Sequence, residues 1–211
     1  MRIVGVLLSG IMLAASAGRG QATDPPKVIA AGEWSKSVAD NRSRAVRGRL
    51  VLCEKVVNAD RREVAVYVEL QEASEAIGDS SQLYCELGRN DFRPEYKNGL
   101  HCKLLDKDGR PVKSAPFFFS GAVPRSQWAS LPPDSTIRLR TSPFGIYRPN
   151  AMAIAPDMGA LWVIEDGDSN KYTLSGTFTV DPAADLVPPG GGHVWRGTIE
   201  LPPVEITGRR K

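Results

Sequence analysis

The segment Leu161–Val180, LWVIEDGDSNKYTLSGTFTV, admits three readings, and choosing among them decides the fold. Gly167-Asp168-Ser169 has the form of a serine-nucleophile block. Asp166, Asp168 and Asn170 stand at alternate positions, like the first ligands of a calcium loop. Glu165–Asn170 as a whole has the composition of a turn between strands. A nucleophile block of this type follows a parallel strand, opens a helix and needs a base downstream, because a serine hydroxyl without a base is a poor nucleophile. Here Tyr172, Leu174, Gly176, Phe178 and Val180 alternate with Thr173, Ser175, Thr177 and Thr179, which is the pattern of a strand. The downstream histidine, His193, has Gly190 rather than aspartate three residues before it. A calcium loop of the helix–loop–helix type needs glycine at its sixth position and glutamate at its twelfth. Counted from Asp166, those positions hold Lys171 and Thr177. Asp166, Asp168 and Asn170 therefore remain only as ligands of a looser, oxygen-rich calcium site that would recruit Glu165 or Asp157. The turn reading fits best, since glycine, aspartate and asparagine tolerate left-handed backbone and hydrogen-bond their own chain. It predicts Trp162 and Ile164 packed inward before the turn, and Tyr172, Leu174 and Phe178 after it.

Working outward, period-two alternation recurs. In REVAVYVEL, Val64, Val66, Val68 and Leu70 share one face, with Glu63, Tyr67 and Glu69 on the other. RLVLCEKVV is its partner across the Asn58-Ala59-Asp60 turn, so the two form a hairpin. LLDKDGRPV carries a tight turn at Asp106–Gly109. STIRLRTS places Ile137 and Leu139 opposite Arg138 and Arg140, and the arginines are expected to face solvent or a carboxylate-bearing neighbour. HVWRGTIELPPVEI alternates Trp195, Gly197, Ile199 and Leu201 with Arg196, Thr198 and Glu200. SPFGIYRPNAMAIAPDMG reads as irregular because of its prolines and glycines. With no sustained helical period and no internal repeat, the pattern predicts an all-β fold: an antiparallel two-sheet sandwich, immunoglobulin-like, with a β-barrel as the alternative.

The chain opens on Met1-Arg2 and the apolar run IVGVLLSGIMLA, followed by small residues at Ala15 and Ala17. This is the layout of a signal peptide over residues 1–17. Residues 18–32 are expected to be a flexible leader, 33–207 a single β-sandwich domain and 208–211 a basic tail. The destination is then secreted or periplasmic, with no membrane span in the mature chain. Net charge is +3, or +2 without Arg2, too small to imply a nucleic-acid or membrane partner. The three cysteines are Cys53, Cys85 and Cys102. LYCEL and LHCKL would set Cys85 opposite Cys102 if they fold as a hairpin, making that pair a disulfide candidate; free thiols are the alternative. The run EWSKSVADNRSRAVRGRL concentrates Lys36, Arg42, Arg44, Arg47 and Arg49 against Glu33 and Asp40. It is either a phosphate- or polysaccharide-binding strip or a solvated strand edge.

GEWSKSV, RGRLVL, VAVYVEL, LHCKLLDKDGRPV, LPPDSTIRLR, YTLSGTFTV and WRGTIELPPVEI resemble segments of small secreted proteins of unknown function encoded by planctomycete bacteria. The resemblance implies an exported bacterial protein with an immunoglobulin-like sandwich and brings no activity, ligand or site residue. No complete catalytic set, phosphate loop or cofactor motif is present in the sequence, and His101-Cys102 would point to opposite faces of a strand rather than share a metal. The expectation is a secreted, non-enzymatic β-sandwich interaction or structural module, without cofactor, whose partner is an unknown protein or a surface polysaccharide. The alternatives are a secreted protease inhibitor presenting the loop SAPFFFSGAVP, or a hydrolase of unrecognised type.

Overall fold

The computed structural model describes residues 27–58, 61–73, 83–86, 99–116, 128–133, 135–140, 149–156, 160–181, 187–188 and 192–208. Their strands, in chain order, are β1 (Lys27–Ala31), β2 (Val38–Ala39), β3 (Ala45–Asn58), β4 (Arg61–Glu72), β5 (Leu83–Glu86), β6 (Gly99–Leu105), β7 (Ala115–Pro116), β8 (Trp128–Leu131), β9 (Thr136–Arg140), β10 (Ala151–Ile154), β11 (Ala160–Glu165), β12 (Lys171–Val180), β13 (His193–Val194) and β14 (Gly197–Thr207). No helix occurs among the described residues. The longest pair is the expected hairpin of β3 and β4, which β9 and β1 extend into a sheet ordered β1-β3-β4-β9, with β2 also on β3. Three further sheets, ordered β14-β12-β6, β10-β11-β7 and β13-β5-β8, complete the fold, and none closes into a barrel.

Alternation sets the layers. Val46, Leu50 and Leu52 of β3 and Val64, Val66, Val68 and Leu70 of β4 are almost wholly buried. β14 lies against β3, and β10 lies against β4. Leu131, Ile154, Ile164, Phe178 and Ile199, drawn from the other sheets, join the same apolar cluster, so one core serves the sandwich. Each such side chain removed from water contributes about 1.5–3 kcal/mol. Trp162 and Ile164 are buried as expected, as are Leu174 and Phe178, while Tyr172 is half-buried. The turn Glu165–Asn170 does not close a hairpin. β11 pairs with β10 and β7, and β12 with β14 and β6, so the turn carries the chain from one sheet to another, with Gly167 at φ 88°.

Four expectations change. The leader predicted over residues 18–32 already contains β1, which pairs with β3 from Lys27; it is an edge strand with Val28 and Ile29 exposed, so burial imposes no alternation on it. The irregular reading of SPFGIYRPNAMAIAPDMG overlooked β10, whose four residues are all buried. A strand covered on both faces shows a continuous apolar run instead of alternation. β5 and β6 do not form a hairpin. β5 pairs antiparallel with β8 and in parallel with β13, whereas β6 pairs with β12, so no shared register sets Cys85 opposite Cys102. Cys102 is half-buried beside Gly176, and the side chain of Cys85 lies outside the described residues. In β14 the alternation changes phase at Pro202-Pro203, with Leu201 and Val204 both buried and a bulge opposite Leu174–Gly176.

A buried polar stitch ties the chain's late segment to its early one. Asp40 closes the β2–β3 turn, its Oδ1 accepting the N–H groups of Arg42 and Arg44 at 2.9 and 3.0 Å. Its Oδ2 accepts Nε2–H of His193 at 2.5 Å, with both side chains nearly or fully out of solvent. Two residues on, the buried indole of Trp195 donates to the carbonyl of Val38 at 3.3 Å.

Substitutions at two positions test this packing. A Cβ at Gly176 would stand 2.6 Å from the backbone oxygen of His101 and 2.9 Å from Cys102 Sγ. Gly176→Ala is therefore expected to lower unfolding free energy by about 1–3 kcal/mol, read from the urea midpoint. Asp40→Ala removes three accepted hydrogen bonds and leaves His193 unpaired, with an expected cost of about 2–4 kcal/mol. Asp40→Asn, which keeps an acceptor for the turn, should cost less by the same measurement.

Candidate functional site

The register that sends valine and leucine inward turns the alternate residues of the same strands outward. One rung across the sheet reads Arg49, Glu69, Arg138, and the next reads Arg47, Gln71, Thr136. Glu69 is the hub. Arg49 donates Nε–H to Oε2 at 2.7 Å, and Arg138 donates Nε–H and Nη2–H to Oε1 at 2.8 and 2.6 Å. The Glu69 side chain is only 5% exposed, while those of Arg49 and Arg138 are 31% and 38% exposed. The two guanidinium groups thus roof the carboxylate and face solvent themselves. Arg47 is bound through Nε and Nη2 to the amide oxygen of Gln71 at 3.0 and 2.7 Å, a neutral acceptor, and no carboxylate among the described residues balances its charge.

Trp34 completes the face. After β1 the chain is clipped to β3: Gly32 N–H donates to the carbonyl of Leu50, Ser35 N–H to that of Gly48, and Gly48 N–H to Ser35 Oγ at 3.0 Å. That clip sets the indole over the guanidinium groups of Arg47 and Arg49, 5.2 and 4.7 Å from the ring centre. Such contacts are worth about 0.5–1 kcal/mol at exposed sites and hold the arginines in place.

Burial by itself would raise the carboxyl of Glu69. The hydrogen bonds from Arg138 and Arg49 and their charges outweigh it, so the group is held below its ordinary value of 4.5. Cys53, buried beneath Arg138 with Sγ 3.8 Å from Nη1, is pushed up by burial against the opposing charge of that arginine. Arginine stays charged at every physiological pH. The face can therefore hold an anion, but its guanidinium groups cannot shuttle a proton.

The residues singled out from sequence divide. Asp168 braces the turn with both oxygens, Oδ1 accepting Asn170 N–H at 2.8 Å and Oδ2 accepting the Tyr172 hydroxyl at 2.7 Å. The Asn170 N–H, with the tyrosine hydroxyl, keeps the Asp168 carboxyl low, and the same carboxylate raises the Tyr172 hydroxyl. Asp166 donates its N–H to the Asn150 carbonyl. Among the described residues no group of three or more histidine, cysteine, aspartate or glutamate side chains converges as a metal site. Ser169 is exposed in the turn, and His193 hydrogen-bonds Asp40. The basic run separates three ways. Lys36 and Arg42 are exposed, Arg44 is buried in an ion pair with Glu72 at 2.6 Å, and only Arg47 and Arg49 join the sheet face. Arg138 meets the carboxylate-bearing neighbour that alternation predicted. Sequence reasoning did not single out Trp34, nor Glu69 as the hub. The placement of Glu69 on the polar face of its strand was the available signal. The loop SAPFFFSGAVP lies, beyond Pro116, outside the described residues.

No protein-family model, curated protein or solved structure matches the chain.

The lowered carboxyl fixes the sign of an acid test. The contribution of Glu69 to stability is fully present above its unfolded-state value and is lost as pH falls through the lower folded-state value. Glu69→Gln is expected to cost about 1–3 kcal/mol at neutral pH. The gap between wild type and variant in urea midpoint should narrow as pH drops below about 4.

Proposed function

We propose that the protein is an exported, non-enzymatic β-sandwich of immunoglobulin-like form that acts by binding, with the solvent face of β3, β4 and β9 as its contact surface. The export part of this reading rests on the charged start and apolar run of residues 1–17. The binding part rests on one observation above the others. Arg49 and Arg138 are fixed by a shared, buried Glu69, next to an Arg47 whose charge, among the described residues, meets only an amide and an indole. Side chains held in one geometry by their neighbours lose little further entropy when a ligand arrives, which is how a rigid face gains affinity. Tryptophan and arginine are also the residue types that carry most binding energy at such surfaces.

The test is retention of purified mature protein on an immobilised panel of polysaccharides and extracellular proteins. The wild type is expected to bind at least one member, and the double variant Trp34→Ala/Arg47→Ala to bind it at least about ten-fold more weakly. Binding that the double variant keeps in full would remove this face from the reading. Hydrolysis by the purified protein that Ser169→Ala abolishes would overturn the non-enzymatic part.

A further inference from the structure

We infer that the face formed by Trp34, Arg47, Arg49 and Arg138 takes a linear acidic polysaccharide, with carboxylates on the arginines and a sugar ring against the indole. The inference rests on the reading of the chain as a binding module and adds the ligand's chemistry to it.

Charge gives the first constraint. Arg47, Arg49 and Arg138 share the face with one carboxylate, Glu69, which pairs with two of them, so these four side chains carry an excess of two positive charges that no pH in the physiological range removes. Hydrogen-bonding capacity gives the second. Glu69 takes the Nε edges of Arg49 and Arg138, and Gln71 takes that of Arg47. Among the described residues the outer Nη1 group of Arg49 has no acceptor, and that of Arg138 has only the weak sulfur of Cys53 at 3.8 Å. Planar donors left in this way match an incoming carboxylate, and guanidinium recognises carboxylates more selectively than an ammonium does.

Shape gives the third constraint. The residues stand on adjacent strands of one sheet, with Arg47 and Arg49 two apart on β3, on the order of 7 Å along the strand. A linear polymer of acidic sugars repeats its carboxylate at a somewhat shorter interval than this, so an extended chain lying along the strand can address both arginines through their long side chains. Trp34 adds a flat apolar ring, and the C–H face of a pyranose is the complementary surface; an acidic peptide of the same charge offers no such face. A nucleic-acid ligand would require a longer basic track than a chain of net charge +3 supplies.

The experiment is affinity electrophoresis of the mature full chain in gels containing sodium polygalacturonate, dextran or poly-L-glutamate, with near-ultraviolet circular dichroism confirming that each variant is folded. Polygalacturonate is expected to retard the wild type, and added salt to weaken that retardation. Arg47→Ala and Trp34→Ala should each weaken binding about ten-fold, and Lys171→Ala, on the remote strand β12, should leave it unchanged. Arg47→Lys keeps the charge without the planar fork and should recover part of the loss. Equal retardation by dextran would overturn the acidic requirement. Equal retardation by poly-L-glutamate would overturn the sugar requirement while leaving the binding-module reading intact. Folded wild type that none of the three polymers retards would overturn the inference itself, and the wider panel then decides the module reading separately.

Discussion

The register of β3 against β4 and β9 is the constraint on which the rest depends. Because side chains alternate across a strand, a slip of one residue would exchange the faces. Val46, Leu50 and Leu52 would enter solvent, and Arg47 and Arg49 would enter the core. With several buried valines and leucines per strand, each worth about 1.5–3 kcal/mol, the core fixes this register far more strongly than the polar face could. The arrangement of Arg49, Glu69 and Arg138 on one rung is thus a by-product of apolar burial on the opposite side of the same sheet. Core and polar face are not separate designs in this chain; one alternation specifies both.

Closing the sandwich needs contacts from the far end of the sequence. β14 lies against β3, and the Asp40–His193 and Val38–Trp195 hydrogen bonds hold the approach to β14 beside the β2–β3 turn. These contacts span more than 150 residues, so the loop-closure entropy behind them is large. A buried carboxylate that accepts three hydrogen bonds and a tryptophan fully out of water are the kinds of interaction able to offset it. The parallel pairing of β13 with β5 fits this role, since it brings a distant segment in alongside a short strand rather than folding back through a tight turn.

What could be read from the sequence follows from which strands have one face wet. β3, β4, β9 and β12 are half-buried, and their alternation marked them and most of their inward residues. β10 escaped because both of its faces are covered, and β1 because it is an exposed edge. The conditional pairing of β5 with β6 rested on matching local patterns, but strand partners are chosen by tertiary packing, which leaves no mark in either segment alone. The site shows the same division. Arg138 was expected to face solvent or a carboxylate-bearing neighbour, and it meets Glu69 while staying partly exposed. Trp34 could not be placed, because its position over Arg47 and Arg49 depends on the clip between Gly32–Ser35 and β3, a set of backbone bonds with no side-chain signature beyond Ser35.

Glu69 also bears on how tightly the face can hold a ligand. Two arginines on one rung with no carboxylate between them would repel one another and adopt many rotamers. With Glu69 shared between them they are ordered, at the cost of one cancelled positive charge and of the desolvation of a buried acid. On the proposed reading, an incoming carboxylate would meet a preorganised surface whose strongest donors are already committed. It also feels repulsion from Glu69, although the overlying guanidinium groups shield much of that charge. Such a face favours repeated, individually weak contacts along an extended anion over one tight contact to a small one, because each added repeat brings a further interaction without a further loss of translational freedom.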